Sequence, residues 1–237
     1  GKGGAGVLTT QEIRTFIEDD ASSDKKGFAR KGQAYYEGDH DIKQYRLFYY
    51  NADGNIVEDK TRSNVKIPHP FFTELVDQAV QYMLSGKDGF VKSDDPELQK
   101  RLDEYFNENE DFTSELAEVL TGSQSKGFEY MYAYKNEDNK LSFMCADSIG
   151  VVEVREKDTD DGCAYVIYWY IDRIEKGHKK IKRIQVWDSE KVYYYVQDSE
   201  GDIIDDESEP INPKPHTLYK KEGDEAIYYK GFGFIPF

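Results

Sequence analysis

The chain of 237 residues carries 47 Asp or Glu against 31 Lys or Arg, a formal net charge of −16. Such a surface repels phosphate backbones, which argues against ordinary sequence-reading DNA binding. No apolar run approaches the ~20 residues of a membrane span, and the N-terminus lacks the apolar core of a signal peptide.

The first elements are predicted to be helices. Thr9 and Glu12 have the spacing of a capping box, which predicts a short helix over residues 10–19. A second helix is expected over residues 23–37, ending at Gly38. The aromatic run 45–50 then meets Ile56 and Val57 across a polar turn, which is typical of a β-hairpin.

The segment Asn64–Gly86 begins extended, because Pro68 and Pro70 disfavour helix there, and then becomes an amphipathic helix. Its apolar residues recur at three- and four-residue spacing: Phe72, Leu75, Val76, Ala79, Val80, Met83 and Leu84. We expect this face to anchor the core, and Gly86 to end the helix in a left-handed conformation.

Two further helices complete the first half. Asp95-Pro96-Glu97 supplies an N-cap, a first-turn proline and a favourable acid. The apolar stripe of that helix comprises Leu98, Leu102, Tyr105 and Phe106. Asp111-Phe112 begins the next helix, which fades near Gly127.

From residue 128 apolar residues recur at every second position, which is typical of strands. These short strands alternate with polar turns, as in an antiparallel meander. The predicted strands are 130–134, 141–144, 151–154, 164–171, 181–187, 192–196, 202–204, 217–220 and 226–229. The apolar run 165–171 is expected to be a central strand covered on both faces, and residues 202–215 a long acidic surface loop.

The predicted fold class is therefore α+β, with N-terminal helices packed against an antiparallel β meander. We divide the chain into an N-terminal tail and short helix (1–22), a mainly helical part with one hairpin (23–127) and a β-rich part (128–237).

Three acidic segments resemble metal sites only superficially. In residues 158–162 the glycine comes fifth rather than sixth, and Trp169 stands where an EF-hand has glutamate, so a hairpin turn is favoured. Residues 198–202 and 205–207 lie on turns and loops, where a solvated charge run is the ordinary interpretation. We assign no metal, cofactor or catalytic residue.

The histidines and cysteines do not form a catalytic pattern either. The four histidines, His40, His69, His178 and His216, lack the spacings of zinc hydrolases and deaminases. For His69 we expect a structural hydrogen bond. Cys145 and Cys163 lack CxxC spacing and are expected to be small buried apolar residues in strands.

Residues 175–183 form the one basic cluster in the chain. The candidate nucleic-acid contacts there are Lys179, Lys180, Lys182 and Arg183. Ile181 and Ile184 are embedded in the same run, so a strand with a charged outer face explains the pattern equally well.

Five segments in series resemble motifs of the portal proteins of long-tailed double-stranded-DNA phages. They are the run 34–42 (Y-Y-x-G-x-x-D-I) with 64–86, the strand 128–134 with 141–143, the aromatic strand 165–170, the strand 184–188 and the element 231–237 (G-x-G-x-I-P). Glu129 departs from the small residue usual in the family. The five segments follow one another in the same order as the family's motifs, from residue 34 to the end of the sequence.

The resemblance implies a structural subunit of a ring, typically of twelve copies, at one vertex of the capsid. Such rings bind the terminase packaging motor, capsid proteins and the tail connector, and double-stranded DNA passes through them without sequence recognition. The subunit is made in the bacterial cytoplasm, contacts no membrane and catalyses nothing. In this family the wing is followed by clip, stem and crown, so this chain corresponds to a wing region truncated before them.

We therefore predict a non-enzymatic piece of a phage portal, through which DNA is packaged and ejected. One alternative is a metal-dependent nuclease or other carboxylate enzyme of phage genome processing. Another is a soluble interaction module with no DNA role.

Overall fold

The computed structural model describes residues 8–86, 89–136, 138, 140–157, 162–177, 179–216, 220–222, 225–227 and 231–237. The α-helices are α1 (Thr10–Ala21), α2 (Asp24–Tyr36), α3 (Phe71–Leu84), α4 (Pro96–Leu102) and α5 (Glu110–Lys126). Short helical turns occupy Asp41–Gln44, Asp103–Asn107 (a π turn) and Ser148–Gly150. The fold is α+β, as predicted.

The strands follow the antiparallel pattern expected from the sequence. They are β1 (Phe48–Tyr50), β2 (Ile56–Glu58), β3 (Tyr130–Lys135), β4 (Leu141–Ala146), β5 (Val151–Val154), β6 (Tyr165–Glu175), β7 (Lys179–Trp187), β8 (Lys191–Gln197), β9 (Ile203–Asp205), β10 (Lys214–Pro215), β11 (Lys220–Glu222) and β12 (Glu225–Ile227). The predicted hairpins β1–β2 and β3–β4 are confirmed.

Local signals fix the helix ends. The Thr9 hydroxyl accepts the backbone N–H of Glu12, whose carboxylate in turn accepts the N–H of Thr9, so the capping box is confirmed. Asp95 caps α4 through two backbone N–H groups. Gly127 ends α5 with φ +90°, a conformation that favours glycine because other residues meet a Cβ clash there.

The main sheet is a meander in the order β5, β6, β7, β8. Beyond β8, both β9 and β10 pair with the same edge, one at each end of the strand. The strand predicted over 202–204 is therefore confirmed by β9, whereas the prediction of a loop up to residue 215 is wrong at β10. The segment returns twice to β8 and satisfies backbone groups that an open edge would leave unpaired.

The sheet is covered on both faces in its centre. One face packs on α1, through Ile13 and Ile17 against Ile167. The other face packs on hairpin β3–β4, through Tyr132 against Val166, with Phe237 stacked on the Tyr132 ring. The double coverage predicted for residues 165–171 is confirmed at Tyr165, Val166 and Ile167, whereas Ile171 is 44% exposed.

Two predictions about α3 are wrong. Only Val76 and Val80 of its apolar residues are buried, while Leu75 is 64% exposed, so the predicted face is not wholly a core face. Gly86 is not left-handed. The Ser85 hydroxyl and N–H both donate to the Tyr82 carbonyl, which closes the last turn without a left-handed residue.

Several predictions fall wholly or partly outside the described residues. They concern the tail before Leu8, the acidic turn 158–161, His178 and parts of the strands 217–220 and 226–229. The division into three parts stays a prediction. Within the described residues, no helix is long and apolar enough to span a bilayer.

Candidate functional site

The predicted basic residues lie on the hairpin β6–β7, which extends past the main body of the sheet. The pairing continues to Glu175 and Lys179, with a register shift between Ile171 and Arg173. Near this end Ile174 is 62% exposed. Lys179 and Lys180 thus lie on the two-stranded end of this hairpin, whereas Lys182 and Arg183 are also paired with β8; the strand interpretation of the pattern is confirmed.

The four candidate side chains have different surroundings. Lys180 is exposed, whereas the ammonium of Lys182 lies 4.6 Å from the centre of the Trp169 ring. Burial, together with the nearby charge of Lys180, lowers the pKa of Lys182. Lys179 is described by its backbone, which pairs with Glu175. Lys180 is therefore the described candidate best placed to meet a phosphate.

Arg183 is engaged within the protein. Its guanidinium donates to the Asp206 carboxylate at 2.6 Å and lies 3.3 Å from Asp172. Asp206 is buried and also accepts the Ser208 hydroxyl. Because Arg183 neutralises a buried carboxylate that joins β7 to the segment after β9, its main role is structural.

The carboxylates that resembled a metal site are also used in turns and ion pairs. The Asp198 carboxylate accepts the N–H groups of Glu200 and Asp202, and Asp202 faces Arg14 at 3.5 Å. Within the described ranges, no three His, Cys, Asp or Glu side chains come close enough together to hold a metal ion.

Both cysteines are half-buried thiols without a disulfide partner. Burial raises the pKa of Cys145, in β4, to about 12. Cys163 lies just before β6 rather than within a strand, which corrects its predicted position.

Two histidines make ring contacts near the surface. His40 stacks on Tyr35 and also contacts its carbonyl oxygen. His69 stacks on Phe71 at 3.9 Å between ring centres, where we had expected a hydrogen bond.

His216 is buried between the rings of Trp187 and Phe232, and burial lowers its pKa. A lowered pKa means that the unfolded chain binds protons more readily just below pH 6.5, so stability should fall as the pH drops through that region. We expect the melting temperature to decrease between roughly pH 7 and 5, and His216→Gln to reduce that decrease. Differential scanning calorimetry checks this. The exposed His69→Gln is the control, and an unchanged pH slope in His216→Gln would contradict the assignment.

A buried lysine ties the helices to the sheet. Lys26, on α2, is 1% exposed and lies 3.1 Å from the Asp20 carboxylate. Its ammonium donates to the carbonyl oxygens of Ser148 and Val151, where β5 begins. Burial lowers the pKa of Lys26, and Asp20 offsets part of that effect. The sequence analysis missed this residue, although its spacing from Ala29 places it on the inner face of α2.

A second charged group lies at the base of a cleft of about 660 Å³ between α2, α5 and β4. Lys126 pairs there with Glu129 and, at 2.7 Å, with Asp147. The Glu129 carboxylate also accepts the backbone N–H of Ser148. Burial raises the pKa of Glu129, and these hydrogen bonds only partly offset the effect. The residue that departs from the family pattern thus joins α5 to the start of the sheet.

Comparison with known proteins gives these surfaces a context. Residues 18–231 match the family described as phage portal protein, SPP1 Gp6-like. The portal protein of Bacillus phage SPP1 is 27% identical over 209 residues, which cover 87% of this chain and 40% of that protein. The chain thus spans less than half the length of this curated relative. The family match covers both the helical and the β-rich halves, and the chain belongs to the SPP1 Gp6-like family of phage portal proteins.

Proposed function

We propose that this chain is the wing region of a portal subunit, a structural part of the ring through which double-stranded DNA is packaged and ejected. The observation that carries the proposal is the extent of the family match, residues 18–231. It takes in α2 to α5 and the main sheet, so it concerns the whole body rather than one short motif.

The complete subunit, on this proposal, assembles with copies of itself into a ring of twelve at the capsid vertex. It is made in the bacterial cytoplasm, and it meets the terminase motor, capsid proteins and the tail connector. These assignments extend from the family to the chain, which corresponds to 40% of the SPP1 portal protein.

We infer that the chain has a mechanical role in the ring and catalyses no reaction. The carboxylates that resembled a metal site serve ion pairs and turns, as Asp206 and Asp198 do. A net charge of −16 also suits a conduit, because like charge lowers the adhesion of passing DNA.

Disruption of the gene in its phage tests the proposal. We expect capsid shells that contain no DNA and carry no tail, because both packaging and tail attachment require the portal vertex. Restoring the gene in trans should return filled, tailed particles. Normal yields of filled particles without the gene product would overturn the proposal.

The nuclease alternative has its own test. Plasmid DNA incubated with the protein and Mg²⁺ or Mn²⁺ should stay intact. Reproducible cutting that is lost when Asp198 and Asp205 are replaced by Asn would favour a metal-dependent nuclease instead.

We propose, further, that the exposed Lys180 makes a weak phosphate contact that does not read sequence. Lys180→Glu should weaken DNA retention and reduce the slope of log K against log salt by about one. Fluorescence anisotropy between about 50 and 200 mM salt measures this. Lys140→Glu makes the same charge change at another exposed position. Equal effects of both variants would mean that only net charge matters.

A further inference from the structure

Residues 41–70, here named the arm, extend from the body without being covered by it. None of the described core residues lies in the arm, and hairpin β1–β2 is a separate two-stranded sheet. Its exposed apolar residues are Ile42, Tyr45, Phe48, Tyr49, Tyr50, Ile56, Val57, Val65 and Ile67. An isolated hairpin is marginally stable in water, and so many exposed apolar side chains in one short segment favour an interaction site.

The arm nevertheless has a defined internal structure. The backbone N–H of Asp59 donates to the carbonyl of Leu47 at 2.8 Å, and the Asn64 amide donates to the carbonyl of Tyr45 at 3.0 Å. The Lys66 ammonium donates to the carbonyl of Lys43 at 2.9 Å. A surface organised in advance loses less conformational entropy when a partner covers it.

Helix α3 follows the arm directly in the chain and also exposes apolar side chains. Phe71, Leu75 and Tyr82 lie on one stripe of the helix, and all three are more than 60% exposed. The neighbouring stripe, with Val76 and Val80, packs on the body. The helix is held in place by Thr73, which donates to the carbonyl of Tyr36, and by the Tyr36 hydroxyl, which donates to Asp77. The outer stripe of a fixed helix is thus left without a cover in the described chain.

Charge indicates what could cover this surface. The arm, residues 41–70, carries five Lys or Arg against four Asp or Glu, although the whole chain has a net charge of −16. Residues 94–118, here named the acidic segment, carry ten Asp or Glu against two Lys or Arg. Most of these acids are exposed on α4, α5 and the turn between them, beside the exposed Phe90 and Leu98. One chain therefore presents two surfaces of opposite charge balance.

We propose that the arm and the outer stripe of α3 bind a second copy of this chain, at its acidic segment. Because the two surfaces differ, the contact is heterologous, and its repetition gives a ring when the rotation between neighbouring copies divides a full turn. The proposal rests on the proposed function, which requires such a ring, and adds which surfaces meet. The exposed apolar side chains make the main contact between the two copies, and the opposite charges of the two surfaces set their relative orientation.

The test uses the complete gene product that carries this sequence. An arm variant, Tyr50→Asp with Ile67→Asp, changes two side chains that are 73% exposed. An acidic-segment variant, Glu104→Lys with Glu118→Lys, changes two exposed acids. The control is Phe28→Asp, which introduces an aspartate at a residue that is 76% exposed but lies outside the arm. Sedimentation velocity and mass photometry measure assembly, and circular dichroism checks folding.

Each variant alone should assemble at least about tenfold more weakly than the wild type, whereas Phe28→Asp should form rings normally. An equimolar mixture of the two variants should stop at dimers, because it contains one intact arm and one intact acidic segment per pair. Normal rings from the folded arm variant would overturn the inference and leave the proposed function standing. Monomers in the mixture would overturn the pairing of these two surfaces. Absence of rings from the wild type would count against the proposed function itself.

Discussion

Gly32→Ala is expected to destabilise the protein by about 2–3 kcal/mol. Gly32 lies on α2 where it crosses α5, and a Cβ there would overlap the backbone carbonyl of Ser125. Backbone cannot yield as a flexible side chain can, so the two helices must separate and loosen the contact between them. Urea unfolding followed by circular dichroism measures the loss.

Gly27→Ala, on the same helix, provides a matched control. No atom lies within 4 Å of a Cβ placed at Gly27, and alanine is the better helix former. This change should therefore stabilise the protein by about 0.5–1 kcal/mol. Equal effects of the two substitutions, in either direction, would contradict the close crossing of α2 and α5.

Lys26→Ala is expected to cost about 3–5 kcal/mol. The substitution leaves the Asp20 carboxylate and the carbonyls of Ser148 and Val151 without their shared donor, and it opens a cavity. Lys26→Met fills the cavity without restoring the donor, so it should fall between alanine and the wild type. Lys25→Ala, at the exposed neighbour, should cost less than about 1 kcal/mol. A loss at Lys26 no larger than at Lys25 would contradict its buried role.

The same lysine should leave a signature in the dependence of stability on pH. Burial lowers the pKa of Lys26 below its ordinary 10.5, so the unfolded chain binds the proton more strongly. Between the folded-state pKa and 10.5, this group therefore makes stability rise with pH. Comparing urea midpoints of the wild type and Lys26→Met across that alkaline range isolates the contribution. Parallel curves would contradict the assignment.

The sequence correctly predicted those features whose structure depends on residues only a few positions away in the chain. The capping box at Thr9, the acid-proline start of α4 and the glycine that ends α5 are each set within a few residues. Alternation of apolar residues likewise located the strands of the main sheet, because each face is buried in a separate core.

The failures are decided by contacts distant in sequence. Residues 214–215 read as part of a polar loop, yet they form a strand on the edge of β8. Lys26 reads as an ordinary surface lysine, because the carbonyls that it binds lie more than 120 residues away. Such partners leave no local pattern.

Helix α3 illustrates a different limit. The three- and four-residue spacing identified an apolar helix, but it did not distinguish a stripe buried in the body from one left uncovered. Leu75 and Val76 are neighbours in sequence with opposite surroundings. The spacing of apolar residues shows that one face of the helix must be covered. It does not show whether the core of the same chain or a second chain covers that face.

The basic cluster shows the same limit for sites. Lys179, Lys180, Lys182 and Arg183 form one run in the sequence, but Arg183 is occupied by Asp206 and Lys182 by Trp169. The sequence shows where the basic residues are, but only the fold shows which of them are left exposed to bind a partner.

Electron microscopy of the purified complete gene product tests the central claim most directly. On the present account, it assembles into closed rings with an axial hole wide enough for double-stranded DNA, and this chain lies in the ring wall. A protein that stays monomeric, or forms only open or irregular assemblies under conditions that preserve its fold, would contradict the assignment as a portal subunit.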